Sequence, residues 1–162
     1  DGSLATGFTS DYKEYIFKLI DIHPVTDNVD YLFQVDTSGN TNYNQTITSS
    51  SFDAYHNEAD DATGVAYNTG MDLAQSTSGQ KLFEDQGNDN DQCGCGILHI
   101  FDPTNTTFVK HFIARTRNTH HGDYTADEFV AGYINTTTAL DKITFYFSSG
   151  NQAGTIKMYG VK

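Results

Sequence analysis

The residues in this chain best suited to chemistry are carboxylates, and many of them fall in one segment. Between positions 53 and 91 the only lysine or arginine is Lys81, whereas nine side chains are acidic: Asp53, Glu58, Asp60, Asp61, Asp72, Glu84, Asp85, Asp89 and Asp91. Such segments bind calcium in some proteins and form a solvated loop face in others. Residues 84–92 lack the Gly at position six and the Glu at position twelve of the common calcium loop. A solvated face is the favoured interpretation, with a calcium-binding face as the alternative.

Histidine and cysteine give two further candidate metal ligand sets. In "THHGD" (119–123), His120, His121 and Asp123 can converge on a cation only if this stretch is a loop, because adjacent side chains on a strand diverge. We interpret them as exposed loop residues. Cys93 and Cys95 are too close in sequence for an unstrained disulfide, and only His99 is near enough to complete a zinc site. Free thiols are the prediction.

The segment "DAYHNEADD" (53–61) is similar to the metal loop of legume-type lectins. In that loop Asp, an aromatic residue and Asn alternate before a further Asp, which here would be Asp53, Tyr55, Asn57 and Asp61. The last Asp falls one residue short of the lectin spacing, and Ser51 occupies the position of an expected Glu. The likeness keeps calcium open as a ligand without assigning a metal site.

Catalytic signatures are missing from the sequence. It contains no G-x-S-x-G, no phosphate-binding glycine loop and no H-E-x-x-H. Asp127 and Glu128 are adjacent, so in an extended strand their carboxylates point to opposite faces and cannot share a cleft. We therefore predict no enzyme, no catalytic residue, no cofactor and no assigned metal ligand.

Charge and composition exclude several classes of partner. The formal net charge of −12 at pH 7 repels phosphate backbones, which argues against nucleic acid. No apolar run approaches the roughly 18 residues that span a bilayer, so we predict no membrane partner. Eleven Phe, ten Tyr and 21 Thr dominate the chain, and aromatic and β-branched residues favour strands.

Period-two alternation predicts at least eight strands and no helical run. Residues 57–92 should hide at least one more strand, in "GVAYNTGM" or "GQKLFED", with a helical turn conceivable near 70–76. The predicted fold is all-β: an antiparallel, jelly-roll-like β-sandwich in a single domain, 1–162, with 1–11 as a candidate N-terminal arm. The strands are predicted at 14–23, 28–37, 43–52, 96–101, 107–116, 128–135, 142–149 and 154–161.

The C-terminus carries the most regular alternation, in "ITFYFSSGNQAGTIKMYG" (143–160). We predict a hairpin across "SSGNQAG", and its last strand is expected to belong to the core. The two buried sets would be Ile143, Phe145 and Phe147 on one strand, and Ile156, Met158 and Gly160 on its partner.

The segment "EFVAGYINTTTALDKITFYFSSGNQAGTIKMYGV" resembles the ending of small β-sandwich proteins encoded by marine tailed bacteriophages. The likeness extends upstream through "FVKHFIARTRNTHHGD" and "GCGILHIF", with Met158 where Leu is usual. It implies a non-enzymatic virion structural protein of the head-decoration or tail-fibre type, located on the virion surface. It also implies other virion proteins as partners and a homo-oligomer, with a trimer as one form. No catalytic residue is implied.

A carbohydrate-binding, lectin-like module for host attachment is the alternative function. The predicted sandwich is compatible with such a module, and 21 aromatic side chains offer surface for stacking on sugar rings. In that case the partner would be a host surface glycan.

Overall fold

The computed structural model describes the backbone of residues 3–4 and all of residues 7–162. The described residues form no helix, and every strand pairing is antiparallel, which confirms the predicted all-β class with more than eight strands. The eleven strands are β1 (Ser3–Leu4), β2 (Glu14–Pro24), β3 (Val29–Thr37), β4 (Ile47–Asn57), β5 (Thr63–Tyr67), β6 (Gln80–Gln86), β7 (Gly94–Phe101), β8 (Lys110–His120), β9 (Tyr124–Ile134), β10 (Leu140–Phe147) and β11 (Gln152–Val161).

The hydrogen-bonded network consists of two parts. The larger part has the order β11-β2-β7-β8-β9-β4-β5, and the smaller has the order β1-β10-β3-β6. Among the paired strands described, one residue pair joins the two parts, Gln86 of β6 with His120 of β8. So narrow a junction lets the two parts turn toward each other instead of extending as one flat sheet.

Aromatic rings from the two parts pack against each other. The ring centroids of Phe17 on β2 and Phe145 on β10 lie 5.4 Å apart, although four strands separate β2 from β10 in the pairing order. Phe33 on β3 meets Phe112 on β8 at 5.2 Å, edge to face. All four rings are at most 1 % exposed, so the core lies between the two parts. This packing is compatible with the predicted sandwich.

The predicted C-terminal hairpin is wrong. β10 pairs with β3 and β1 in the smaller part, whereas β11 pairs with β2 at the edge of the larger part. Residues 148–151 therefore connect the two parts, and Gly150, at φ 76°, supplies a left-handed turn there. The alternation identified most of the inward-facing side chains, but it carries no information about which strand each one pairs with.

Burial of the two predicted sets follows from this arrangement. Ile143, Phe145 and Phe147 are buried, as predicted. On β11, Ile156 and Met158 are partly buried against the core, whereas Gly160 is exposed. The last strand is therefore an edge strand, and only one of its faces packs against the core.

Two strands lie within residues 57–92, which confirms the prediction for that region. β5 pairs with β4, and β6 pairs with β3. The helical turn considered near 70–76 does not form; this stretch runs through turns and bends and joins β4 through the isolated bridge between Ile47 and Ser76.

The N-terminal segment is partly attached to the body. The backbone of β1 pairs with β10, Ser3 opposite Thr144. Phe8 is buried and packs edge to face on Tyr15 at 5.0 Å. Residues 1, 2, 5 and 6 of the predicted arm lie outside the described residues.

Candidate functional site

A cleft of about 180 Å³ opens where the C-terminal end of β6 approaches the inner face of β4 and β9. All but one of its lining side chains are polar or aromatic, which distinguishes it from the surrounding core. The lining residues are Asp53, Tyr55, Asn68, Glu84, Asp85, His120, Tyr124, Ala126 and Glu128.

Strand register brings two carboxyl groups of the cleft together. Asp53 on β4 lies directly opposite Glu128 on β9, and both side chains line the cleft. Directly opposed residues on antiparallel strands have Cβ atoms about 4.5–5.5 Å apart, and like charges there repel. Thr116 on β8 is the next residue in the same cross-strand row.

Glu128 is the most deeply buried acid of the cleft. It is 2 % exposed, and its Oε2 atom has no hydrogen-bond partner among the described residues. Burial first, and then repulsion by Asp53 and Glu84, raises the pKa of Glu128 to about 8. Burial and the charge of Glu84 also raise the pKa of Asp53. Around neutral pH the pair is therefore expected to hold one proton.

The negative charge of Glu84 is balanced by a lysine, unlike the charges of Asp53 and Glu128. Its Oε1 accepts a hydrogen bond from Lys81 Nζ at 2.8 Å, and its Oε2 accepts one from Asn68 Nδ2 at 3.0 Å. Burial would raise the pKa of Glu84, but the bonds from Lys81 and Asn68 outweigh it and lower the pKa. The same Lys81 ammonium also contacts Asp30 Oδ2 at 2.9 Å, so one cation serves two carboxylates.

His120 and Tyr124 form the aromatic side of the cleft. Their ring centroids are 3.9 Å apart and nearly parallel. The backbone N–H of Gly122 donates to His120 Nδ1 at 2.9 Å, so the ring proton resides on Nε2, which lies 3.5 Å from Asp85 Oδ2. Burial lowers the pKa of His120, while burial and nearby carboxylates raise the pKa of Tyr124 to about 12. Both rings are thus expected to be uncharged near neutral pH.

The four residues of the lectin-like segment do not form one metal loop. Asp53 and Tyr55 line the cleft, whereas Asn57 ends β4 and hydrogen-bonds Asp61 in the following turn. Four residues of extended strand separate Asp53 from Asn57 by about 13 Å, too far for a shared ion. Only the first half of the segment therefore belongs to the cleft.

The histidine cluster is also divided. His120 is the last residue of β8 and lies in the cleft, and the ring of the exposed His121 lies 4.4 Å from its ring, tilted by 30°. Asp123 Oδ1 accepts a hydrogen bond from Gln92 Nε2 at 3.3 Å. These side chains hold the turn between β8 and β9, and do not converge on one point.

The remaining sequence candidates, Glu128 excepted, lie outside the cleft. Asp127 and Glu128 do point to opposite faces: Asp127 Oδ2 lies 2.7 Å from Arg115 Nη2 on the outer face. Cys93 and Cys95 are exposed free thiols, as predicted. His99 Nδ1 contacts Glu14 Oε1 at 2.5 Å and forms no group with the thiols.

Sequence reasoning missed the convergence of Asp53, Glu84 and Glu128. They are separated by 31 and 44 positions, and no spacing rule connects them. Only the pairing of β4 with β9, and the approach of β6 over β8, brings them together. One feature of the sequence could have indicated Glu128: it is an acid at an inward-facing position of a strand with alternating side chains.

The opposite side of the larger part, here called the outer face, exposes apolar side chains. Tyr67, Phe52 and Phe129 are aligned across β5, β4 and β9, and the rings of Phe52 and Phe129 stack at 4.6 Å. Ile113 on β8 and Ile97 on β7 continue the face; exposure is 47 % for Phe52 and 52 % for Ile113.

No group of three or more His, Cys, Asp or Glu side chains in the described part of the chain is arranged to hold a metal ion. The described residues also contain no helix long and apolar enough to cross a membrane. Comparisons with protein-family models, with curated proteins and with solved structures found no match to this chain.

Proposed function

We propose that this chain is a non-enzymatic structural protein on the outside of a bacteriophage virion, as a capsid decoration or a tail or fibre component. The ending "GYINTTTALDKITFYFSSGNQAGTIKMYGV", with its likeness to phage β-sandwich proteins, supports this proposal. Its partners would be other virion proteins and further copies of itself, with a trimer as one form. Its location would be the virion surface.

The exposed apolar outer face is the observation that carries a docking role. Isolated exposed apolar side chains are ordinary, but a contiguous set on one side of a sheet is typical of a contact surface. Phe52, Phe129 and Ile113 border a shallow depression of about 180 Å³ on this face. A neighbouring protein could bury these rings without any rearrangement of the strands.

Burial of Glu128 supports a non-enzymatic role. A carboxyl that is 2 % exposed presents almost no surface to a polymer such as a polysaccharide. General acid catalysis requires the acid within hydrogen-bond reach of the scissile bond. Turnover of a polysaccharide that disappears in Glu128→Gln would contradict this part of the proposal.

Purified particles of the phage that encodes the chain provide the direct test. Mass spectrometry should detect the chain at a fixed copy number per particle, and antibodies against it should label intact particles. Absence of the chain from particles, despite its synthesis in infected cells, would contradict the proposal.

Variants test the docking face separately. Phe52→Asp combined with Ile113→Asp should prevent self-association in analytical ultracentrifugation and reduce incorporation into particles. Val25→Asp is the matched control, because Val25 is 66 % exposed in the turn after β2, away from the outer face. Equal behaviour of both variants would mean that the outer face is not the contact.

Carbohydrate binding is the second candidate, favoured by the aligned rings of Tyr67, Phe52 and Phe129. Aromatic faces on a sheet can stack on sugar rings. Glycan arrays probed with and without calcium should show binding that is lost in Tyr67→Ala. Loss of glycan binding in Asp53→Asn would instead locate the glycan in the cleft. If the wild-type chain binds no glycan on the array, this candidate function is excluded.

A further inference from the structure

We propose that the cleft between β4, β9 and β6 binds one alkylammonium group, held between the carboxyls of Asp53 and Glu128. The ligand class is a small organic amine, of a size that a cleft of about 180 Å³ can hold. This inference concerns the inner face and does not rest on the proposed function, whose contact surface is the outer face.

Uncompensated charge is the first reason. Asp53 and Glu128 are opposed across two strands, and within the described chain no lysine or arginine forms an ion pair with either one. Opposed like charges destabilise a sheet unless a cation or a proton separates them. A ligand that brings a positive charge would replace the proton that the pair otherwise needs.

The unpartnered oxygen of Glu128 is the second, independent reason. Buried side-chain oxygens in folded proteins nearly always accept or donate a hydrogen bond. Oε2 of Glu128 does neither among the described residues, in a side chain that is 2 % exposed and lines the cleft. A donor supplied from the cleft side would satisfy it.

Lys81 shows that this region accommodates an ammonium group. Its Nζ lies 2.9 Å from Asp30 Oδ2 and 2.8 Å from Glu84 Oε1, so one ammonium bridges carboxylates from two strands. An ammonium carries three N–H donors on one small centre, which suits two carboxyls facing each other. In the proposed site, the ammonium group of the ligand bridges Asp53 and Glu128 in the way that Lys81 bridges Asp30 and Glu84.

An organic cation fits better than a metal ion or a neutral sugar. Calcium requires six to eight oxygen ligands, and no group of three or more acidic, His or Cys side chains in the described residues is arranged to hold a metal ion. Tyr55 and Tyr124 line the cleft with aromatic rings, which attract ammonium groups. A neutral sugar would leave the carboxyl pair uncompensated.

Binding should strengthen as pH rises, because the ammonium competes with the proton on the pair. The raised pKa of Glu128, to about 8, agrees with a carboxyl that lacks its cation. The amine stays protonated over this range, since its pKa lies near that of lysine. The titratable and charged groups that face Glu128 or its partner are Asp53 and Tyr55 on β4, Lys81, Glu84 and Asp85 on β6, His120 on β8, and Tyr124 on β9. Asp127 lies on the outer face, where it is paired with Arg115.

The test is a titration of the isotope-labelled chain with n-propylammonium chloride, followed by amide NMR at constant ionic strength around pH 8. Saturable shifts are expected at residues 53, 124 and 128, with 1-propanol, which has the same chain but no charge, producing none. Asp53→Asn and Glu128→Gln should each weaken binding by about tenfold or more, because each removes one charged hydrogen-bond partner. Both substitutions relieve repulsion, so the variants are expected to fold, which their own spectra verify.

Asp127→Asn is the matched control. It removes a carboxylate from the residue next to Glu128, but on the outer face, and should leave the affinity unchanged. Equal shifts with 1-propanol, equal weakening by Asp127→Asn, or no saturable shift at all would each overturn the proposal. Displacement of propylammonium by calcium at lower concentration would overturn it in favour of a metal site.

Discussion

Asp53 of β4 and Glu128 of β9 are paired residues in an antiparallel register, and both carboxyl groups enter the same cleft. Burial first, and then the charge of the opposed Asp53, disfavour the ionised form of Glu128 and raise its pKa to about 8. The stability of the fold should therefore depend on the protonation of this pair.

Stability should decrease as pH rises from about 5 to about 8. Below the ordinary value of 4.5, Glu128 is protonated in the folded and the unfolded chain, and its contribution is constant. Between that value and about 8 the folded chain keeps a proton that the unfolded chain releases, so the free energy of unfolding falls with pH, by a few kcal/mol in total on an order-of-magnitude estimate. Urea unfolding at a series of pH values measures this slope.

Glu128→Gln should flatten that slope, because glutamine does not ionise. Asp127→Asn serves as the control and should retain the wild-type pH dependence. A wild-type slope preserved in Glu128→Gln would show that another group is responsible.

Phe17→Ala should destabilise the fold strongly. The ring is fully buried and joins the two parts of the structure through its contact with Phe145. Phe→Ala changes in well-packed cores cost about 3–5 kcal/mol through lost burial and the remaining cavity. Thermal or urea unfolding gives the value, with the exposed Phe108→Ala, 69 % exposed, expected to cost under about 1 kcal/mol.

Removal of residues 151–162 should unfold the chain. The deletion takes away β11, exposes the edge of β2 and uncovers the core beside Phe17 and Leu19, against which Ile156 and Met158 pack. Circular dichroism during heating is the measurement. A truncated chain that keeps a cooperative melting transition would show that this edge strand is dispensable.

Lys110→Met should destabilise the chain despite the hydrophobic gain. Lys110 is fully buried, and its Nζ donates to the backbone oxygens of Thr136 at 2.9 Å and Thr138 at 2.7 Å. Methionine can fill the volume but leaves both carbonyls without that donor, at a cost of about 1–3 kcal/mol. Urea unfolding, combined with hydrogen exchange at residues 136–140, would separate this effect from a general loss of packing; unchanged stability and exchange would mean that water replaces the lysine.

Local pattern was sufficient for much of the fold. Alternation located β2, β3, β7 and β10 to within two residues at either end, and it identified Ile143, Phe145 and Phe147 as inward-facing. The same alternation led to the wrong partner for β10. Two consecutive alternating strands with a short polar link form a hairpin in many proteins, but here the link connects the two parts of the hydrogen-bonded network.

Such local patterns could not predict the candidate site. Adjacent positions 127 and 128 were correctly separated onto two faces, yet the partner of Glu128 is Asp53, 75 positions earlier. Neither residue stands out in a chain with 21 acids. The register between β4 and β9 decides their meeting, and that register depends on every residue pair along both strands.

The amino-acid sequence by itself determined the class of structure: strands, most of their inward faces and two free thiols. The tertiary structure alone decided which strands pair, which apolar face stays exposed and which carboxyls converge. The physical reason is the length of chain over which each feature is decided. Side-chain direction along a strand is set by the backbone within a few residues, whereas strand partners are chosen by burial summed over the whole core.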